Sequence, residues 1–313
     1  MMLGGARHFG ICAIALAASA CGSDPQHTGG GKTTGDTSST GDTSSATTLK
    51  YTKLIEGSWT LQPGTEDPNH CVQKPITEDI YIHAIRPVAP LGTHHTLLTV
   101  GTADQECLTA VVSGFLYAAG IGSEGVVLPE GVALKVPKGS VLNLGLHIYN
   151  TGTTVLSGTS AMEVATMDEK DVKYISDSVL AGPISFELPP HQETKISDTC
   201  QLTQDQSVYA LFPHMHQLGT HIKTTVNVSG VPTVLHDADY TFNEQYQLPL
   251  APILKLSAGD SVDTECTYDN TTDDTATFGE SSKQEMCFSV LFRYPKQDTG
   301  ICFGSGATTS SPL

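Results

Sequence analysis

Basic residues are scarce in this chain. Sixteen Lys+Arg stand against 33 Asp+Glu in 313 residues, a formal net charge of −17. A phosphate backbone is held by clustered Lys and Arg, so nucleic-acid binding is excluded as a function class. Long hydrophobic runs are also missing: the apolar run Phe9–Ala18 is too short to span a bilayer, and no longer one follows it. No apolar stripe at helical spacing extends beyond two turns. There is no C-x-x-C pair, which weighs against a zinc ribbon or a thioredoxin-type redox site. G-x-S-x-G, G-x-x-x-x-G-K and H-E-x-x-H are absent too, so hydrolase, kinase and zincin readings have no motif to rest on. With 39% hydrophobic and 16% charged residues the chain is too apolar for disorder. Its 30 Gly and 17 Pro are too many breakers for a helical protein.

The N-terminus reads as an export address. Arg7 precedes the short apolar run, and the small residues Ala18-Ser19-Ala20 lead into Cys21-Gly22-Ser23. This ending is similar to the lipobox of bacterial lipoproteins, although Ala18 stands where Leu is usual. The reading is a signal peptide over residues 1–20 and lipid on Cys21, anchoring the chain to a bacterial membrane; without lipidation the chain is secreted. Residues 21–50 are rich in Gly, Ser, Thr and Asp, with Gly-Asp-Thr-Ser-Ser at Gly35–Ser39 and again at Gly41–Ser45. Nearly devoid of apolar side chains, this stretch is a flexible tether.

From Tyr51 onward the pattern is β. Asp79–Arg86, Thr96–Gly101, Ser140–Asn150, Ser207–Gln217, His221–Val228, Ser261–Tyr268 and Met286–Tyr294 alternate or are rich in β-branched and aromatic residues, with turn formers between them. The fold class expected is all-β, as two tandem antiparallel sandwiches or jelly rolls over 51–182 and 183–313, divided near Ala181-Gly182-Pro183. Cys71, Cys107, Cys200, Cys266, Cys287 and Cys302 form an even set in an exported chain, and disulfides are the default. Spacing leaves fifteen connectivities open.

The histidines sort themselves. His70, His83, His191, His221 and His236 are isolated, and a lone His in a β protein is most often a surface or satisfied core residue. His214-Met215-His216 lies in a strand-like segment, where residues i and i+2 share a face and both imidazoles can reach one ion. His94 and His95 are adjacent, so they share a face only at a bulge or strand end. His147 lies on the face opposite Leu142, Leu144 and Leu146.

Taken together, Thr93-His94-His95-Thr96-Leu97-Leu98, Leu144-Gly145-Leu146-His147-Ile148-Tyr149-Asn150, Pro213-His214-Met215-His216-Gln217-Leu218-Gly219 and Glu285-Met286-Cys287 occur in an order that resembles the copper type II, ascorbate-dependent monooxygenases. Cys266-Thr267-Tyr268, Phe278-Gly279-Glu280-Ser281 and Tyr294-Pro295 strengthen the likeness, which covers roughly residues 80–302. The resemblance implies two copper ions per chain, one per sandwich, facing each other across a cleft, with ascorbate or a similar reductant as co-substrate. Residue by residue, it implies His94, His95 and His147 for the first copper. It implies His214, His216 and Met286 for the second, where O2 is activated. A thioether prefers soft Cu(I), which suits Met286 to the oxygen-binding ion. The resemblance further implies the bridges Cys71–Cys107, Cys200–Cys302 and Cys266–Cys287.

The activity implied is hydroxylation of a C–H bond, with O2 and a small molecule or peptide as partners and contact with a membrane only through the lipid. In the peptide-amidating branch an Arg lies two residues before the H-x-H; here Phe212 does, and Phe288 and Val290 replace polar residues after the Met. A neutral or hydrophobic substrate follows. Two other classes remain: a non-catalytic copper-buffering lipoprotein of the same fold, and an adhesion or carbohydrate-binding module with residual histidines.

Overall fold

The leucines of Val141–Tyr149 show how the strands arise. Leu142, Leu144 and Leu146 are at most 1% exposed and feed a single core, as a period of two demands. The computed structural model describes residues 49–102, 107, 114–243, 245–279, 281, 283–297 and 300–304, and the backbone of 308–310. The expected signal segment, Cys21 and the tether through residue 48 lie outside the described residues.

The first half contributes β1 (Thr52–Leu61), β2 (Glu66–Pro75), β3 (Ile80–Val88), β4 (Thr93–Gly101), β5 (Phe115–Ala119), β6 (Val126–Val127), β7 (Val132–Val136), β8 (Val141–Tyr149), β9 (Leu156–Thr166) and β10 (Tyr174–Ala181). The second contributes β11 (Glu187–Leu188), β12 (Gln192–Gln201), β13 (Gln206–Met215), β14 (Gly219–Val228), β15 (Val231–Asp239) and β16 (Leu248–Leu256). It continues with β17 (Ser261–Asn270), β18 (Ala276–Thr277), β19 (Cys287–Tyr294), β20 (Ile301–Cys302) and β21 (Thr308–Ser310). A 3-10 turn at Glu169–Asp171 lies between β9 and β10. The chain is all-β, as the sequence pattern requires.

A four-stranded sheet in the order β2-β8-β4-β5 and a five-stranded sheet in the order β15-β14-β17-β12-β21 flank a ten-stranded one. The latter runs β1-β9-β3-β7-β10-β19-β13-β16, with β6 on β3 and β20 on β10. Its pairings are antiparallel except those of β10 with β7 and β20. One hydrophobic cluster draws Leu54, Ile82, Leu144 and Met162 from the first half and Tyr209, Phe212, Phe288 and Phe292 from the second. Of two smaller clusters, one around Val208 and Leu291 also takes in Val179 and Ala181 of β10, and the other gathers around Phe186 and Tyr268 in the second half.

Three disulfides staple these layers: Cys71–Cys107, Cys200–Cys302 and Cys266–Cys287. Cys266 lies on β17 and Cys287 opens β19, so the last bridge joins the five-stranded sheet to the ten-stranded one. Three such bonds belong to an oxidising compartment. No helix among the described residues is long and apolar enough to cross a membrane.

Candidate metal centre

His94 and His95 open β4, where pairing with β8 slips between Thr93 and His95. In a regular strand adjacent side chains point to opposite faces; the irregularity lets both rings turn the same way. Their centroids lie 4.1 Å apart. Register places His147 directly opposite His95, and the His147 ring stands edge-on to His94 at 4.9 Å. Among the described residues these three histidines form a group whose donor atoms all lie within 4.8 Å of one another.

Each of the three has its Nε2 against an oxygen. His147 Nε2 meets Glu66 Oε1 at 2.6 Å, His95 Nε2 meets the Phe242 carbonyl at 2.9 Å, and His94 Nε2 meets Asn243 Oδ1. An Nε2–H that donates outward leaves the Nδ1 lone pair for a metal. The Nδ1 atoms of His94 and His147 face each other at 3.3 Å. Burial pulls the His95 imidazolium down to about 3, and the neighbouring His94 adds to this. His94 is lowered as well, again chiefly by burial. Neutral imidazoles are the form that binds metal, so the donor set fits copper.

A second set gathers at the end of β13. His214 lies within the strand and His216 one residue past it, their rings 5.1 Å apart. Here the outward bonds use the other nitrogen. His214 Nδ1–H donates to Gln245 Oε1 at 2.7 Å, and His216 Nδ1–H donates to the Gln284 carbonyl at 2.8 Å. In this tautomer Nε2 of each ring carries the lone pair a metal needs. Burial brings His214 to about 3 and lowers His216. Met286, 6% exposed, directly precedes β19. Its carbonyl accepts the Tyr268 hydroxyl at 2.7 Å, and its neighbour Cys287 is tied to Cys266. Two imidazoles and a thioether make a softer set than three imidazoles, suited to Cu(I).

His95 and His147 from the first set and His214, His216 and Met286 from the second line one cavity of about 440 Å³. Its walls are largely apolar, with Leu97, Phe115, Leu180, Phe212, Phe242 and Val290. Sequence reasoning misses several contributors. His70, isolated along the chain, lines the cavity, its Nδ1 3.1 Å from Asp67 Oδ2. Of the other isolated histidines, His83 bonds the Val132 carbonyl, and His191 and His221 pair with Asp273 and Asp237. Glu66, Phe242, Asn243 and Gln245 carry no local signal, because each reaches its histidine from a distant stretch of chain. Leu218 packs with the cluster around Tyr268, while its N–H donates to Glu285.

Glu285 is the buried support of the second set. At 1% exposure it accepts from the His216 and Leu218 N–H groups at 2.9 and 2.7 Å. Burial pushes its carboxyl up to about 7, against the pull of those donors.

Residues 179–311 match the family described as copper type II ascorbate-dependent monooxygenase, C-terminal domain. The chain is 25% identical over 215 residues to the human "Putative DBH-like monooxygenase protein 2", covering 62% of this chain and 43% of that protein. It is 28% identical over 179 residues to tyramine beta-hydroxylase of Caenorhabditis briggsae, covering 54% of this chain and 28% of the other. With dopamine beta-hydroxylase of Bos taurus it shares 25% identity over 206 residues, 60% of this chain and 34% of the other. The chain therefore spans less than half the length of these relatives.

Proposed function

Since the chain belongs to the copper type II, ascorbate-dependent monooxygenase family, we propose that it hydroxylates a C–H bond of a small, predominantly apolar substrate. In this reading His94, His95 and His147 hold one copper ion. His214, His216 and Met286 hold the other, and the two halves 51–182 and 183–313 carry one site each. Bound copper supplies the redox chemistry: one atom of O2 enters the C–H bond and the other leaves as water, with two electrons from ascorbate or an equivalent reductant and two protons. In the same reading residues 1–20 are a signal segment, and lipid on Cys21 with the tether behind it would hold the protein outside a bacterial cell membrane.

One observation carries the reading: imidazoles from both histidine sets, and Met286, face a single cavity. The residues divide the remaining work. Outward bonds from Nε2 in the first set and Nδ1 in the second hold the rings in place and present the opposite nitrogen inward. Phe212, Leu180 and Val290 keep the surroundings of Met286 dry and offer a substrate apolar contact. Phe212 stacks parallel to the His214 ring, 18° between planes, and limits its rotation.

Anaerobic titration of the metal-free protein should saturate at two coppers per chain. Met286→Ala should keep the first ion and lose ascorbate-dependent O2 consumption by at least tenfold. Undiminished turnover in Met286→Ala would overturn the assignment of the second site. A wild type that takes up copper but consumes no O2 with a panel of apolar substrates is a copper buffer instead.

A further inference from the structure

Between the two histidine sets stands Gln245, a residue no sequence motif singles out. It is 4% exposed and lies in the wall of the shared cavity. Its amide ends face different partners. Oε1 accepts from His214 Nδ1–H at 2.7 Å, and Nε2 donates to the Phe242 carbonyl at 2.9 Å. That same carbonyl accepts from His95 Nε2–H at 2.9 Å. A carbonyl oxygen has two lone pairs and can take both donors. The 3.3 Å approach of Gln245 Nε2 to His95 Nε2 is then two donors meeting on one acceptor.

The backbone of Gln245 is fixed as firmly as its side chain. Its carbonyl accepts from Gly120 N–H at 2.7 Å, just past the end of β5. A Cβ at position 120 would fall 2.8 Å from Gln245 N, so glycine is what permits this approach. Gln245 is thus anchored to first-half backbone while its side chain holds a second-half histidine.

We infer that Gln245 is a positioning residue that links the two sites through one relay: His95 Nε2–H to the Phe242 carbonyl, Gln245 Nε2–H to the same carbonyl, and His214 Nδ1–H to Gln245 Oε1. The relay fixes His214 as the Nδ1–H tautomer with Nε2 aimed inward, and fixes His95 in the opposite sense. A shift of either ring is felt by the other through a single amide. Its consequence for copper rests on the proposed function above; its consequence for the tautomers does not.

The test begins without metal. Nitrogen-15 NMR of the metal-free, histidine-labelled chain should read His214 as the Nδ1–H tautomer. Gln245→Leu removes acceptor and donor together, so His214 should become a tautomer mixture. In the copper-loaded protein, affinity at the second site should fall about ten- to a hundredfold, with the electron paramagnetic resonance signals of both ions displaced. Gln245→Glu keeps the acceptor for His214 but sets a carboxylate oxygen against the Phe242 carbonyl. It should restore the His214 tautomer while leaving the first-site signal displaced. An unchanged tautomer and unchanged signals in a Gln245→Leu chain with wild-type circular dichroism would overturn the inference. A wild type that binds no copper, yet loses the His214 tautomer in Gln245→Leu, would sink the copper reading and leave the relay standing.

Discussion

At the scale of single residues, Glu285 carries an electrostatic cost at neutral pH. The folded carboxyl is raised from 4.5 to about 7, burial being the main cause. An acid with a raised folded pKa binds its proton more tightly when folded, so it favours folding below the unfolded pKa and loses that contribution as pH rises through the folded one. Each pH unit separating the folded and unfolded values is worth about 1.36 kcal/mol, so this group should lower the stability of the metal-free chain by about 3 kcal/mol between roughly pH 4 and pH 8. The buried His95 and His214, lowered to about 3, act in the opposite sense in any variant that keeps them, so the check is a difference: by urea unfolding across that range, wild-type stability relative to Glu285→Gln should fall by about 3 kcal/mol. A slope unchanged in Glu285→Gln would assign the dependence to other groups. The same scale explains which site residues are legible in the chain. His214 and His216 announce themselves because a strand's period of two is local. Gln245 acts from about thirty residues away through a turn with no periodicity, so only the folded chain reveals it.

Elements tell a similar story with a different cause. Ser140–Asn150 is legible as a strand from its leucines at every second position, and Ser261–Tyr268 because buried Val262, Thr264, Cys266 and Tyr268 alternate with partly exposed neighbours, whereas β2 and β16 are not. β2 carries Pro68 and Pro75 and β16 carries Pro249 and Pro252, and proline argues against a strand when read alone. Both turn out to be edge strands, β2 of the four-stranded sheet and β16 of the ten-stranded one, where a missing N–H costs no ladder bond. The bulge that turns His94 and His95 to one side is foreseeable only as a condition, since register depends on the partner strand. At the β10–β19 seam the limiting feature is Gly182. A Cβ there would come within 2.0 Å of the Cys287 carbonyl oxygen, which is backbone and cannot swing aside. Gly182→Ala should cost about 3 kcal/mol or more, read as a lower urea midpoint. Because Cys287 follows Met286, it should also weaken copper binding at the second site more than at the first.

For the whole molecule the question is whether the two halves unfold separately, and the ten-stranded sheet argues that they do not. β10 pairs with β7 on one side and with β19 on the other, so first-half and second-half strands share one ladder. A buried ion pair fastens that seam. Arg293 on β19, 2% exposed, donates from Nε to Asp177 Oδ1 on β10 at 2.9 Å and from Nη1 to Gln206 and Gln297 at 2.9 and 3.0 Å. Burial raises the Asp177 carboxyl even with the guanidinium beside it, so the pair is held in place at a desolvation cost. Removing one partner of such a pair strands the other, at about 3–5 kcal/mol. Arg293→Leu should lose that much, and Arg293→Leu with Asp177→Leu less than the sum of the two single changes. The single tryptophan supplies the reporter, because Trp59 sits on β1, at the far end of the ladder and wholly within the first half. If the shared sheet couples the halves, Trp59 fluorescence and far-ultraviolet circular dichroism should unfold together, and Arg293→Leu should lower the Trp59 midpoint although the substitution lies in the other half. A Trp59 transition unmoved by Arg293→Leu would show two independently stable halves, with the β7–β10 pairing contributing nothing to cooperativity.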